Sequence, residues 1–167
     1  MSATISFAPL SLDAAEFLTQ ETGIEFRHID FRHQRWFCVT ARREEDDSLM
    51  GVAVAEFKVW FDCHFSCAIA DQRCMSRKLL RTMFSTLFRQ AVRITALVDP
   101  HAEKTVALTR QMGFVYEGFL RLGVEGNRDA LIFGMLREDC RFLPGYHPAT
   151  ASVTPLSLGG YHHGLQS

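Results

Sequence analysis

The chain has 167 residues, the size of one domain of roughly 100–200 residues, and can bury about 70% of its unfolded surface without a disulfide or metal staple. Hydrophobic residues are 47% and charged residues 22%, which excludes a disordered chain, a collagen and a coiled coil; no apolar run approaches the roughly 20 residues of a membrane-spanning helix. A net charge of −1 gives no bulk attraction to nucleic acid or membrane, so any such affinity needs a local patch. The first residues lack the basic segment of a secretory signal, and five cysteines, an odd number, read as free thiols in a reducing compartment. The expectation is a cytoplasmic protein.

Residues 3–8 alternate weakly and read as a short strand. Leu10 to Gln20 carries Leu12, Ala15 and Leu18 behind Asp13 and reads as a helix ending near Gly23. The stretch 25–34 mixes two histidines and several arginines with aromatics and has no readable period. Residues 36–41 read as a strand and 42–47 as a charged, solvated turn. Leu49 to Phe61 is a β-branched apolar run broken by Glu56 and Lys58, and Cys63 to Ala70 is a third strand closing an antiparallel meander. Cys63, His64 and Cys67 have a spacing that invites a metal. On a strand, however, the two cysteines lie roughly 13 Å apart along the chain, too far to share an ion bound at about 2.3 Å, and His64 points the other way. No metal is expected.

The period then changes. Leu79, Leu80, Met83, Phe84, Leu87 and Phe88 draw one helical stripe, with Arg77, Lys78, Arg81, Ser85 and Arg89 opposite and Ser76 as N-cap. Arg93 to Val98 is a strand. Asp99-Pro100 predicts a helix start, running to about Met112 and stopping at Gly113. Residues 114–122 and 130–136 are strands joined by a hairpin turn at 125–129. The order is β-α-β-β-β-α-β-α-β-β. Residues 1–143 form the expected domain, and 144–167, with prolines and Gly159-Gly160 but no periodicity, read as an extended tail suited to another copy or an assembly partner.

This order, with Gly113-Phe114-Val115-Tyr116-Glu117-Gly118-Phe119-Leu120-Arg121 in it, resembles the GNAT-type N-acetyltransferase family. The closing Met135-Leu136-Arg137-Glu138-Asp139-Cys140 resembles the last strand of members that include phage-encoded ones, which adds a virion-associated location to the expectations. The resemblance implies an α/β (α+β) fold: a splayed mixed sheet of about six to seven strands flanked by helices. It implies acetyl-CoA lying in the splay, with its pyrophosphate on backbone N–H groups at the start of the helix after the third meander strand. There unpaired donors and the positive dipole end favour an anion. The cofactor-binding residues so implied are Ala68, Ile69, Arg73, Cys74, Met75, Ser76, Arg77 and Lys78, with Ala102 early in the next helix.

The sequence departs from the family pattern in three places. The turn Asp71-Gln72-Arg73-Cys74-Met75-Ser76-Arg77-Lys78 contains no glycine, where members normally supply a glycine-rich one that lets phosphates approach bare backbone. Ala102 stands where an asparagine is frequent, and Thr109 where a tyrosine commonly protonates the leaving thiolate. One feature favours an anion. Arg73, Arg77 and Arg81 recur every four residues beside Lys78, an arrangement that costs roughly 0.2–0.5 kcal/mol per like-charged pair and that a bound phosphate relieves. The alternative is the solvated face of an amphipathic helix.

Amine acetylation needs a base for the acceptor's ammonium and gains from an acid for the thiolate. His64 and Glu56, on the central strands near the splay, are the candidate bases, and Tyr116 is the candidate substitute for the missing acid. His64 as a hydrogen-bonded structural histidine and Glu56 as a solvated edge residue are the alternatives. Two functions follow: an acetyl-CoA-dependent transferase acting on an amine acceptor, or a non-catalytic interaction protein of the same fold within a larger assembly. Nucleic acid is disfavoured by the net charge.

Overall fold

A computed structural model describes residues 3–27, 29–32, 35–124 and 128–146. Most of the expected tail (147–167) and the hairpin turn at 125–127 lie outside the described residues. The elements follow the expected order. They are β1 (Ala3–Ser6), α1 (Leu12–Thr22), β2 (Trp36–Arg43), β3 (Leu49–Val59), β4 (Asp62–Ile69), a single 3-10 turn at Gln72–Cys74, α2 (Arg77–Leu87), β5 (Arg93–Val98), α3 (Glu103–Met112), β6 (Val115–Val124) and β7 (Arg128–Leu136). The strands form one sheet in the order β1-β2-β3-β4-β5-β7-β6. Only β4 and β5 are parallel, and their crossover is α2.

Side-chain alternation splits the sheet into two faces. On one, Ala14, Ala15 and Leu18 of α1 pack on Cys38, Val52, Val54 and Ala68. On the other, α2 presents Leu80, Met83, Phe84 and Leu87 and α3 presents Met112, against Phe65, Ile94, Phe133 and Met135. The apolar stripe read from the sequence is this buried face of α2. Phe84 and Phe133 are fully buried, each contributing roughly 1.5–3 kcal/mol of transfer free energy.

Two boundaries differ from the sequence reading as follows. The helix expected from Pro100 starts at Glu103, with Ala102 as a cap that makes no side-chain hydrogen bond. The cause is local. The Asp99 carboxylate accepts the His101 N–H at 2.8 Å, closing a separate turn that competes with helix initiation. The turn expected at 42–47 is shorter, because Arg42 and Arg43 end β2. They are only partly exposed and are engaged: Arg42 pairs with Asp13 at 2.6 Å and Arg43 with Asp46 and Asp71, so the ion pairs tie β2 to α1 and to the turn before α2.

Candidate active site

The β4–β5 ladder holds for three positions, Asp62 with Arg93, Cys63 with Ile94 and His64 with Thr95, and then ends. Beyond His64 the strands part, which is the splay. On that side β4 has no ladder partner among the described residues, so every second residue from Phe65 to Ile69 turns its backbone groups to the gap, and of the neighbours Ala68 and Ile69 only one does so. β4's C-terminal end leads into the turn before α2.

That turn is tighter than the expected cradle. The N–H groups of Cys74, Met75 and Ser76 are taken by the carbonyls of Asp71, Gln72 and Cys74. The Arg73 N–H goes to the Asp71 carboxylate at 3.0 Å, and Leu79 N–H to Ser76 Oγ at 3.1 Å. The expected row of free amides from Cys74 to Lys78 is therefore corrected: among the described residues only those of Arg77 and Lys78 are left without an acceptor there. The Arg73 guanidinium is engaged by Asp71, whereas Arg77, Lys78 and Arg81 are exposed around the helix start. No glycine is needed because the backbone stays at negative φ, −137° at Asp71, −79° at Met75 and −67° at Ser76.

On the α1 face, at the foot of the splay, a polar network crosses the sheet. Glu56 on β3 stands opposite His64 on β4, which stands opposite Thr95 on β5. The Thr95 hydroxyl donates to the Asp62 carboxylate (2.9 Å to Oδ1) and accepts from Arg93 Nε at 3.0 Å. Arg93 then pairs through both terminal nitrogens with Glu117 on β6. Between them lies Gly134 of β7, where a Cβ would overlap the Glu117 carboxylate and the Arg93 guanidinium. The Arg93 guanidinium holds the Glu117 carboxyl below its ordinary range. Glu56 is bound by Lys58 and by Arg35 at 3.6 Å. His64 Nε2 lies 3.8 Å from Asp62 Oδ2.

Of the candidate residues, His64 and Glu56 are brought together and Tyr116 is not. Tyr116 sits on edge strand β6, with β7 and β5 between it and β4, and its ring packs on Phe133 at 5.7 Å. Thr109 is buried and donates to the Thr105 carbonyl at 2.8 Å, so its hydroxyl is committed to its own helix. Ala102 lies at the start of α3. Asp62, Thr95 and Arg93 were not singled out from sequence, and Glu117 entered only as part of the Gly113–Arg121 run, with no site role. The one available signal was their charge or hydroxyl within strands otherwise apolar.

The cysteines divide by face. Cys63 and Cys67 point into the α2-side core, away from His64. Burial pushes both thiols up to about 12, which removes the thiolate a nucleophile needs. A cavity of about 30 Å³ lies beneath α2 among Cys67, Cys74, Met75, Leu80 and Met83, room for about one water. A wider cleft of about 410 Å³ lies by Pro9, Leu10 and residues 29–32, apart from the network, and its Arg27 and Arg32 are already paired with Glu25 and Asp30.

A mixed seven-stranded sheet that opens between β4 and β5, with β7 inserted between β5 and β6, is the fold of the GNAT-type N-acetyltransferases, and this chain has it. The chain superimposes on an IAA acetyltransferase from Bacillus cereus with a TM-score of 0.60, at 19% identity over 81% of this chain and 99% of that one. A GNAT family acetyltransferase from Elizabethkingia anophelis with acetyl-CoA bound gives 0.59, at 10% identity over 79% and 97%. A ribosomal-protein-S5-alanine acetyltransferase from Vibrio fischeri gives 0.57, at 12% identity over 83% and 95%. No family model and no curated protein matches the sequence. No helix among the described residues is long and apolar enough to cross a membrane.

Proposed function

We propose that the protein is an acetyl-CoA-dependent N-acetyltransferase in which the acceptor amine attacks the thioester directly. The observation that carries this reading is the coincidence of the splay with a histidine and a polar network at its foot. The Elizabethkingia anophelis neighbour is described with acetyl-CoA bound, and the residues here fit the same cofactor. The open edge of β4 beyond His64 can pair with an extended amide-containing arm. The free amides of Arg77 and Lys78, with exposed Arg77, Lys78 and Arg81 around them, suit its phosphates.

Acetyl-CoA supplies the activated acetyl group. The chain's own task is to receive a proton. An ammonium is not nucleophilic, so its N–H bond must break while the electron pair stays on nitrogen. His64 is half exposed and can take that proton directly or through one water. Glu56, already paired with Lys58 and Arg35, fixes the wall opposite. No acid is required for the leaving group, because a thiol ionises near neutral pH (about 8.5 for a free cysteine) and can depart as thiolate. Tyr116 is not assigned this role.

One observation favours a second reading, a non-catalytic protein of the same fold. Asp71 places a carboxylate inside the turn and consumes a donor there. Calorimetric titration with acetyl-CoA separates the two. Binding, followed by thiol release with a panel of primary amines, supports the transferase. His64→Ala is expected to keep binding and lose transfer by about 10²–10⁴-fold. Absence of binding at millimolar acetyl-CoA leaves the interaction protein.

A further inference from the structure

We propose that Asp62, oriented by Thr95, is the positioning residue that makes His64 an effective base. The inference rests on the acetyl-transfer reading for its catalytic meaning, but its geometry is independent of it. Among the described residues, Glu56, Asp62 and Glu117 are the carboxylates of this network. Glu56 is neutralised by Lys58 and Arg35, and Glu117 by Arg93. Asp62, with only 17% of its side chain exposed, has no Lys or Arg within ion-pair distance among the described residues; the basic side chain at that range is the His64 imidazole. Asp62 feels Arg93 from beyond ion-pair distance, and within that distance the basic group beside it is the His64 ring.

The hydroxyl of Thr95 decides where Asp62 points. Thr95 has one proton to give. Because its oxygen accepts from Arg93 Nε, the proton is directed at Asp62. Arg93 is held in turn by the two-pronged pair with Glu117, laid flat across Gly134. The chain Glu117–Arg93–Thr95–Asp62 thus fixes the carboxylate from β6, across β7 and β5. At 3.8 Å the Asp62–His64 contact is too long for a hydrogen bond, so the carboxylate acts on the charge of the ring rather than on its tautomer. Among the described residues, the groups around His64 are Glu56 with Lys58 and Arg35 from the β3 side, Asp62 from its own strand, and Thr95 with Arg93 from β5. The surface of α1 packed on this face is apolar. In the transfer step the ammonium N–H bond breaks and an N–H bond forms on the imidazole. The positive charge so created sits beside Asp62, which favours it.

The test follows the His64 ring Cε1–H by NMR through a pH titration of the full chain, beside the pH profile of kcat/KM. In Asp62→Asn the ring titration is expected to move to lower pH than in the wild type, because removing a neighbouring negative charge disfavours the imidazolium. The acid limb of kcat/KM moves down with it, and kcat falls about tenfold with KM little changed. Thr95→Val gives a smaller shift of the same sign, and Thr95→Ser restores the wild-type value. The Thr95 pair stands in if Asp62→Asn does not fold. A ring titration unmoved by both Asp62→Asn and Thr95→Val overturns the proposal. If the ring titration moves as stated while the wild type transfers acetyl to no amine, the coupling stands and the acetyl-transfer reading falls.

Discussion

Asp71 takes the Arg73 N–H on its own carboxylate and draws in the guanidinium groups of Arg73 and Arg43. The Arg73 side chain is the main cause of its lowered pKa of about 2, with that N–H next. An acid held below its unfolded value of 3.8 contributes stability that is complete above about pH 4 and is lost as pH falls through about 2. Asp71→Asn is therefore expected to flatten the acid side of the stability curve between about pH 4 and 2. Urea midpoints measured at steps across that window check it, and an unchanged acid limb rules it out. In the sequence Asp71 stands only as the first residue of a glycine-free turn before a helix. What the sequence did not contain was its pairing with Arg43, which comes from another strand.

At the scale of an element, α2 begins where a polar turn hands over to an amphipathic helix. Ser76 caps it through Leu79 N–H at 3.1 Å, and Ser76→Ala is expected to cost about 1 kcal/mol, read from chemical denaturation. Arg77 follows the cap, exposed, beside the two amides left free. On the transferase reading, Arg77→Ala weakens acetyl-CoA binding about tenfold, the loss of one charge-assisted contact, and added salt weakens the wild type in the same direction. Circular dichroism is expected to be unchanged, because removing one of a series of like charges does not unfold a helix. Intact affinity in Arg77→Ala would reduce the basic stripe to a solvated face. α2 was legible because its apolar stripe has the helical period. The start of α3 was misjudged because Asp99 has a competing local partner in the His101 N–H, and sequence alone does not rank the two.

Across the whole molecule, five free cysteines are distributed through the cores, four of them buried and Cys67 half-buried. Burial raises the thiols of Cys38, Cys63 and Cys67 to about 11, 12 and 12. The folded protein is therefore expected to react slowly with a thiol reagent near pH 8, and all five cysteines to react after unfolding. Rapid labelling of several thiols in the native state would show that the two faces of the sheet are less tightly covered than this packing requires.

Period, capping residues and breakers are properties of neighbouring residues, so the amino-acid sequence by itself determined the order of the elements, the buried face of α2 and the stop at Gly113, whose φ of 100° suits glycine. The Gly113–Arg121 run pointed to the fold family through resemblance. The site was legible only in part. His64 and Glu56 stood out as polar residues in apolar strands, but their being opposite one another depends on the β3–β4 register. The network from Glu117 to Asp62 exists only because β7 inserts between β5 and β6 and brings a glycine beneath the Arg93–Glu117 pair. Those partners are 24 and 33 residues apart in the chain, beyond the reach of any local pattern, and only tertiary structure sets them side by side.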